Sequence, residues 1–101
     1  MMKIIACDFD GTLCENEYPK IGAPRTDVLR ALKEERAQGA RVILWTCRTG
    51  EILAEALVWC ARQGICFDAV NENLPETLAW MDDNSRKVYA TEYWDDRAKR
   101  V

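Results

Sequence analysis

Two aspartates, Asp8 and Asp10, stand directly after the run Lys3-Ile4-Ile5-Ala6-Cys7 and directly before Gly11-Thr12. Residues two apart on an extended segment point the same way, so a strand ending here aims two carboxylates at one spot. Such a pair can hold a magnesium ion and attack a phosphate. Gly11 lets the backbone turn sharply and approach a ligand closely, and amides in that turn, those of Gly11 and Thr12 among them, can point at phosphate oxygens.

Three further groups have matching chemistry. Thr46-Cys47-Arg48 follows a second apolar run, Arg41 to Trp45. The Thr46 hydroxyl and the Cys47 amide are candidates to bind a phosphoryl oxygen, although Thr46 could equally start the turn. Arg48 reads equally as a phosphate contact or as an ordinary loop arginine. Lys87 precedes a fourth apolar run and could neutralise charge between nucleophile and phosphate, with Arg86 as its competitor. Asp95-Asp96 closes the set: adjacent carboxylates repel, so the pair invites a cation. Oxygen donors without histidine or a thiolate pattern favour Mg²⁺ over zinc. Asp82-Asp83 has the same composition but no apolar strand before it, and reads as solvated.

The elements that must position these groups are legible from periodicity. Lys3–Cys7 reads as a buried strand, and Glu15 to Pro24 as a polar loop or short flap. Thr26 is a candidate N-cap for a helix with Val28, Leu29 and Leu32 inward and Gly39 at its end. Thr49 is the candidate cap of a second helix, with Leu53, Ala56, Leu57 and Cys60 at helical spacing and Gly64 as its stop. Cys66 to Val70 is a short third strand. A short helix follows with Pro75 in its first turn and Leu78 and Met81 inward. Val88 to Trp94 contains a fourth strand. Trp45 and Trp94 alternate with the polar residues that follow them and read as packing rather than as stacking on a base.

Alternating strands and helices imply an α/β fold with a mostly parallel sheet of about four strands, in one domain over residues 1–101. Ligands of such sheets bind beyond the carboxyl ends of the strands, which is where Asp8, Asp10, Thr46, Asp95 and Asp96 fall.

Composition narrows the functional classes. The net charge of −3 argues against a general nucleic-acid binder. The basic residues Arg97, Lys99 and Arg100 read as a solvated terminal segment. The five cysteines form no Cys-x-x-Cys pair, and the chain has no histidine to complete a zinc site. Reduced thiols in a cytoplasmic protein are the expectation, and no signal peptide or membrane-spanning helix fits.

Asp8-Phe9-Asp10-Gly11-Thr12-Leu13 resembles the first motif of the haloacid dehalogenase (HAD) superfamily. Leu44-Trp45-Thr46 resembles its second motif, Lys87 the lysine of its third, and Tyr93-Trp94-Asp95-Asp96-Arg97 its acidic fourth. The resemblance implies a three-layer Rossmann-like core and a Mg²⁺-dependent phosphatase. Asp8 would attack phosphorus to give an aspartyl-phosphate, while Asp10 would serve the leaving oxygen as acid and then the hydrolytic water as base. Mg²⁺ would sit on the Asp8 carboxylate, the Asp10 backbone carbonyl and Asp95, with Asp96 bound directly or through water. Thr46 and Lys87 would stabilise the equatorial oxygens. An acid at position 10 favours phosphate-ester hydrolysis over dehalogenation, because an alkoxide needs a proton and a halide does not.

Two features depart from the usual pattern of that superfamily. The intervals where a cap domain is inserted hold only a short polar loop and one short helix, which resembles the capless class. Its open site suits a bulky or macromolecular substrate, or needs a partner subunit as a lid; the expected partner is a phosphorylated small molecule or macromolecular end, and a nucleic-acid end phosphatase is the alternative within the enzyme class. The family's fifth strand is not expected before the chain ends, leaving a sheet edge that a homo-oligomer would cover. A phosphoacceptor signalling domain and a non-catalytic binding module of the same fold are the competing classes. In the former the phosphoacceptor lies on a later strand than the acidic pair, whereas here acidic pairs bracket the chain.

Overall fold

The structure, a computed structural model, describes residues 2–101. In chain order its elements are β1 (Ile4–Cys7), β2 (Cys14–Glu17), β3 (Lys20–Pro24), α1 (Thr26–Ala37), β4 (Arg41–Leu44), α2 (Gly50–Arg62), β5 (Ala69–Val70), α3 (Pro75–Leu78) and β6 (Glu92–Trp94). Strands β5, β4, β1 and β6 lie side by side in that order, each pair parallel. The α/β fold with a four-stranded parallel sheet is therefore as the sequence implies. The segment expected to be a loop or flap is an antiparallel hairpin, β2–β3.

Alternation along the strands divides the core in two. Ile5, Cys7, Val42 and Leu44 pack with Leu29 and Leu32 of α1 and with Ala56 and Cys60 of α2. Ile4, Ala6 and Ile43 face the other way and pack under Leu74 and Val88. Both helices present apolar residues three or four positions apart, which share one face. Each helix ends at a glutamine C-cap followed by the expected glycine, Gly39 or Gly64.

Several local expectations are corrected. Arg25, not Thr26, occupies the cap position of α1, because its carbonyl accepts the first helical bond from Leu29. Thr49 does cap α2 by position, but without a side-chain bond. In the α3 segment the fully buried residues are Leu74 and Thr77, while Leu78 and Met81 are only half-buried. Three cysteines, Cys7, Cys14 and Cys60, are buried, Cys47 and Cys66 are exposed, and all five are free thiols. No helix among the described residues is long and apolar enough to cross a membrane.

The outer strands are shorter than the apolar runs suggest, for one physical reason. Side chains take over backbone partners where the ladders would continue. At β5 the Val42 amide donates to the Asp68 carboxylate (2.8 Å) while the Asp68 amide donates to the Val42 carbonyl (2.8 Å). At β6 the Ile4 amide donates to the Thr91 hydroxyl (2.8 Å), which in turn donates to the Ile4 carbonyl (2.9 Å).

Asp68 also binds Arg36 (2.7 Å) and Arg41 (3.2 Å), tying α1 and β4 to the start of β5. Burial pulls its carboxyl up, but the Val42 amide and the two guanidiniums outweigh that and hold it below the ordinary carboxylate range. A depressed folded-state value contributes stability above the unfolded value near 4, and that contribution is lost as pH falls through the folded value. Asp68→Asn should therefore lower stability at pH 7 by roughly 2 kcal/mol, the worth of hydrogen bonds to a charged group. Thermal melts at descending pH should show the gap to wild type narrowing below about pH 4. A gap that is constant from pH 7 to pH 3 would contradict the assignment.

Candidate active site

The register of the central strand assembles the site. Cys7 is level with Leu44 on one side and Trp94 on the other. The next residues, Asp8, Trp45 and Asp95, therefore emerge in one row at the carboxyl end of the sheet. The Asp8 amide donates to the Trp94 carbonyl and the Trp45 amide to the Cys7 carbonyl, both at 2.9 Å, so this row is pinned by the ladder itself.

Oxygen atoms of Asp8, Asp95 and Asp96 all lie within 4.8 Å of one another. Asp8 is half-buried and accepts the Phe9 amide at 2.8 Å. Burial lifts its carboxyl to about 6; the Phe9 amide opposes this, and the charges of Asp95, Asp96 and Asp10 add to it. Asp96 can come so close because residue 11 is glycine. Gly11 has φ +85°, and a Cβ there would stand 2.2 Å from Asp96 Oδ2. Beside it Thr12 is buried, and its Oγ1 has no hydrogen-bond partner.

This donor set fits a hard cation. At about 2.1 Å from an octahedral Mg²⁺, two ligand oxygens lie about 3 to 4 Å apart, so the three carboxylates need only a small contraction. The neighbouring thiols are engaged elsewhere, Cys7 Sγ with the Asp8 carbonyl (3.3 Å) and Cys14 Sγ with the Phe9 carbonyl (3.9 Å).

Asp10 is held differently. Arg48 Nε donates to its Oδ2 (2.9 Å) and Arg48 Nη2 to its Oδ1 (2.8 Å), a two-pronged clamp. Arg48 is fully buried, between the rings of Phe9 (5.0 Å) and Tyr18 (5.3 Å). Its remaining donors reach the carbonyls of Lys20 (3.0 Å) and Ile52 (3.3 Å). The expectation of Arg48 as a phosphate contact does not fit this geometry, because the guanidinium is enclosed by protein and engaged on every side. It positions Asp10 and the hairpin instead.

A cavity of about 560 Å³ opens over this floor. Asp8, Asp10, Thr46, Cys47 and Asp95 line it, as the sequence suggests. Four further lining residues were not singled out as site residues: Asn16 and Tyr18 from the hairpin, Trp45, and Arg97. Trp45 packs against the core as the sequence suggests, and it also lines the cavity. Thr46 has two attachments of its own. Its amide donates to Asn71 Oδ1 (2.8 Å), and its hydroxyl accepts the Arg48 amide (3.2 Å). Among the described residues the Cys47 amide has no partner, and Cys47 lines the cavity.

Gly11 and Thr12 lie to one side, with Asp95 and Asp96, around a smaller hollow of about 230 Å³. Lys87 is outside both. Its ammonium rests 5.3 Å from the Tyr93 ring centroid. The loop carrying it is fixed by buried Asn73, whose Nδ2 donates to Asn84 Oδ1 (3.0 Å) and Ser85 Oγ (3.3 Å) and whose Oδ1 accepts the Tyr89 amide (2.6 Å). Arg86 is exposed and does not line the cavity either. Arg97, expected in a solvated tail, is the cation at the cavity wall.

A conserved protein coded by a locus of Bacteroides thetaiotaomicron, of known structure, is 40% identical to this chain with a TM-score of 0.85. The match covers 97% of this chain and 78% of that one. The chain belongs to the same family as that protein. No protein-family model matches the chain, and no curated protein matches it.

Burial of Asp8, with the neighbouring acids adding to it, makes its carboxyl sensitive to pH. A folded-state value near 6 exceeds the ordinary value near 4, so Asp8 favours the fold at low pH and opposes it as pH rises through that window. At pH 7 Asp8→Asn should be more stable than wild type, by on the order of 2 kcal/mol, and the difference should shrink toward pH 4. Mg²⁺ should raise the melting temperature of wild type more than that of the variant. A lower melting temperature for Asp8→Asn at pH 7 would count against the electrostatic account.

Proposed function

We propose that this protein is a Mg²⁺-dependent phosphatase of the haloacid dehalogenase type, hydrolysing a phosphate monoester through an aspartyl-phosphate. The observation that carries the reading is the meeting of Asp8 with Asp95 and Asp96, with Asp10 clamped beside them. Two acids, two environments and one cavity are what nucleophilic attack followed by proton transfer requires.

Asp8, Asp95 and Asp96 would hold Mg²⁺, which when bound supplies the positive charge that lets an anionic nucleophile approach an anionic phosphate. The Asp8 carboxylate forms the bond to phosphorus as the ester oxygen departs. Asp10 gives that oxygen a proton, then takes one from the water that attacks the phosphorus, releasing inorganic phosphate and restoring Asp8. A carboxylate accepts up to about four hydrogen bonds, so the clamp by Arg48 leaves Asp10 free capacity toward the cavity. The Thr46 hydroxyl and the Cys47 amide are the donors for the phosphoryl oxygens, and Arg97 is the cation facing them. Lys87 would have to leave the Tyr93 ring to take part.

Turnover of a phosphate-ester panel with Mg²⁺ tests the reading. Asp8→Asn should abolish turnover. Asp10→Asn should lower kcat about 10²- to 10⁴-fold while leaving the Mg²⁺ requirement near that of wild type. Asp95→Asn should raise the Mg²⁺ concentration needed for half-maximal activity. Equal loss of Mg²⁺ affinity in the Asp10 and Asp95 variants, or no hydrolysis of any ester by wild type, would overturn it.

Arg48 gives a separate test. Arg48→Lys keeps the charge but not the two-pronged geometry. It should lower kcat with little change in KM, since the residue orients Asp10 and does not line the cavity. A change confined to KM would make it a substrate contact after all.

A further inference from the structure

We propose that the cavity selects phosphate esters carrying a planar aromatic group, which packs against Tyr18 and Trp45. This rests on the phosphatase reading for turnover, though not for binding. Three observations carry it. Tyr18, at the turn of the hairpin, and Trp45, one residue past β4, come from separate elements and line the same cavity as Asp8. Tyr18 is 55% exposed, so much of its ring is free to take a contact from the cavity side. The volume of about 560 Å³ exceeds what a phosphoryl group alone needs and lies in the range of sites for whole small molecules.

Both rings are held in advance. Tyr18 lies over the buried Arg48 guanidinium, and its amide donates to Asn16 Oδ1 (3.3 Å), which turns Asn16 into a fixed part of the same wall. Arg48 also grips the Lys20 carbonyl, anchoring the far arm of the hairpin. Trp45 packs against the Tyr93 ring at 5.6 Å with the planes inclined at 53°. Rings fixed before binding lose little freedom when a third ring joins them, which is the condition under which stacking discriminates. Asn16 adds an amide suited to the polar edge of a heteroaromatic ring such as a nucleobase. Thr46, Cys47 and Arg97 would hold the phosphoryl end, so the aromatic contact acts on the remainder of the ester.

The test uses pairs of esters with matched leaving oxygens. Adenosine 5′-monophosphate is compared with ribose 5-phosphate, and benzyl phosphate with cyclohexylmethyl phosphate. The first pair reads a ring on a long arm and the second a ring on a short one. In at least one pair the aromatic member should have the higher kcat/KM by about tenfold or more, since a base–aromatic stack is worth about 1–3 kcal/mol. Tyr18→Ala should collapse that ratio toward one, and Tyr18→Phe should keep it. Binding is read independently in Asp8→Asn, by tryptophan fluorescence on titration with adenosine 5′-monophosphate and with ribose 5-phosphate. Quenching by the first at lower concentration than the second, weakened by Tyr18→Ala, supports the subsite even if no ester is hydrolysed. Absence of hydrolysis with this quenching intact would sink the phosphatase reading alone. Equal behaviour of aromatic and aliphatic members in turnover and in binding, or a ratio untouched by Tyr18→Ala, would overturn the aromatic subsite.

Discussion

The site depends on the register of β1 between its two parallel neighbours. Cys7 is level with Leu44 and with Trp94, and the chain leaves the ladder on all three strands at the same height. Three separate stretches of sequence thereby deliver Asp8, Trp45 and Asp95 to one row. A slip of one residue would turn Asp8 to the opposite face of the sheet and exchange the two apolar faces, burying Ile4 and Ala6 where Ile5 and Cys7 belong. The packing of both core clusters thus enforces the meeting of the acids, although those acids repel one another. The fold tolerates this because the hydrophobic residues that set the register lie one step further in, fully buried.

Two modes of handling negative charge stand side by side. Asp10 is compensated inside the protein by Arg48, with both oxygens matched and further guanidinium donors reaching the Lys20 and Ile52 carbonyls. A buried guanidinium left without such partners would be strongly destabilising, so the pair must form for the hairpin to close over it. Among the described residues Asp8, Asp95 and Asp96 have no such partner; their relief there is the Phe9 amide on Asp8 and the Arg97 amide on Asp95. The first arrangement balances its charge inside the protein and the second does not. In the proposed chemistry that difference would separate a residue positioned to move protons from a cluster able to receive a cation.

The parts of this design that are local in sequence were the parts that could be read there. Asp8 and Asp95–Asp96 terminate apolar runs, and the α/β alternation of those runs fixes which end of the sheet they share. Gly11 was legible as a close approach, although the group that approaches, Asp96, lies at the other end of the chain. Arg48 was not legible, because its neighbours Thr46, Cys47 and Thr49 describe an ordinary loop. Its burial comes from a hairpin more than twenty residues away in sequence. The hairpin itself has no apolar alternation, and Glu15 to Pro24 reads as polar loop until the pairing of Asn16 with Ile21 is seen. The placement of Lys87 outside the cavity was not legible for a related reason. Its position is set by the hydrogen bonds of Asn73, a polar residue in the interior that no hydrophobic pattern reveals.

The same hairpin answers the question of what covers the site. With only a two-stranded flap above the acids, water exclusion during the proposed chemistry falls to the flap and to the substrate. A freely swinging flap would serve poorly, and this one is not free. Lifting it would strip the Lys20 carbonyl and the Tyr18 ring from Arg48, leaving a buried cation short of partners. It would also loosen the clamp on Asp10, because Arg48 Nη2 serves both the Asp10 carboxylate and the Lys20 carbonyl. Cover and clamped carboxylate are therefore joined through one side chain. In the proposed chemistry, a substrate that settles the Tyr18 ring would also settle the hairpin on Arg48, and through Arg48 would fix the orientation of Asp10.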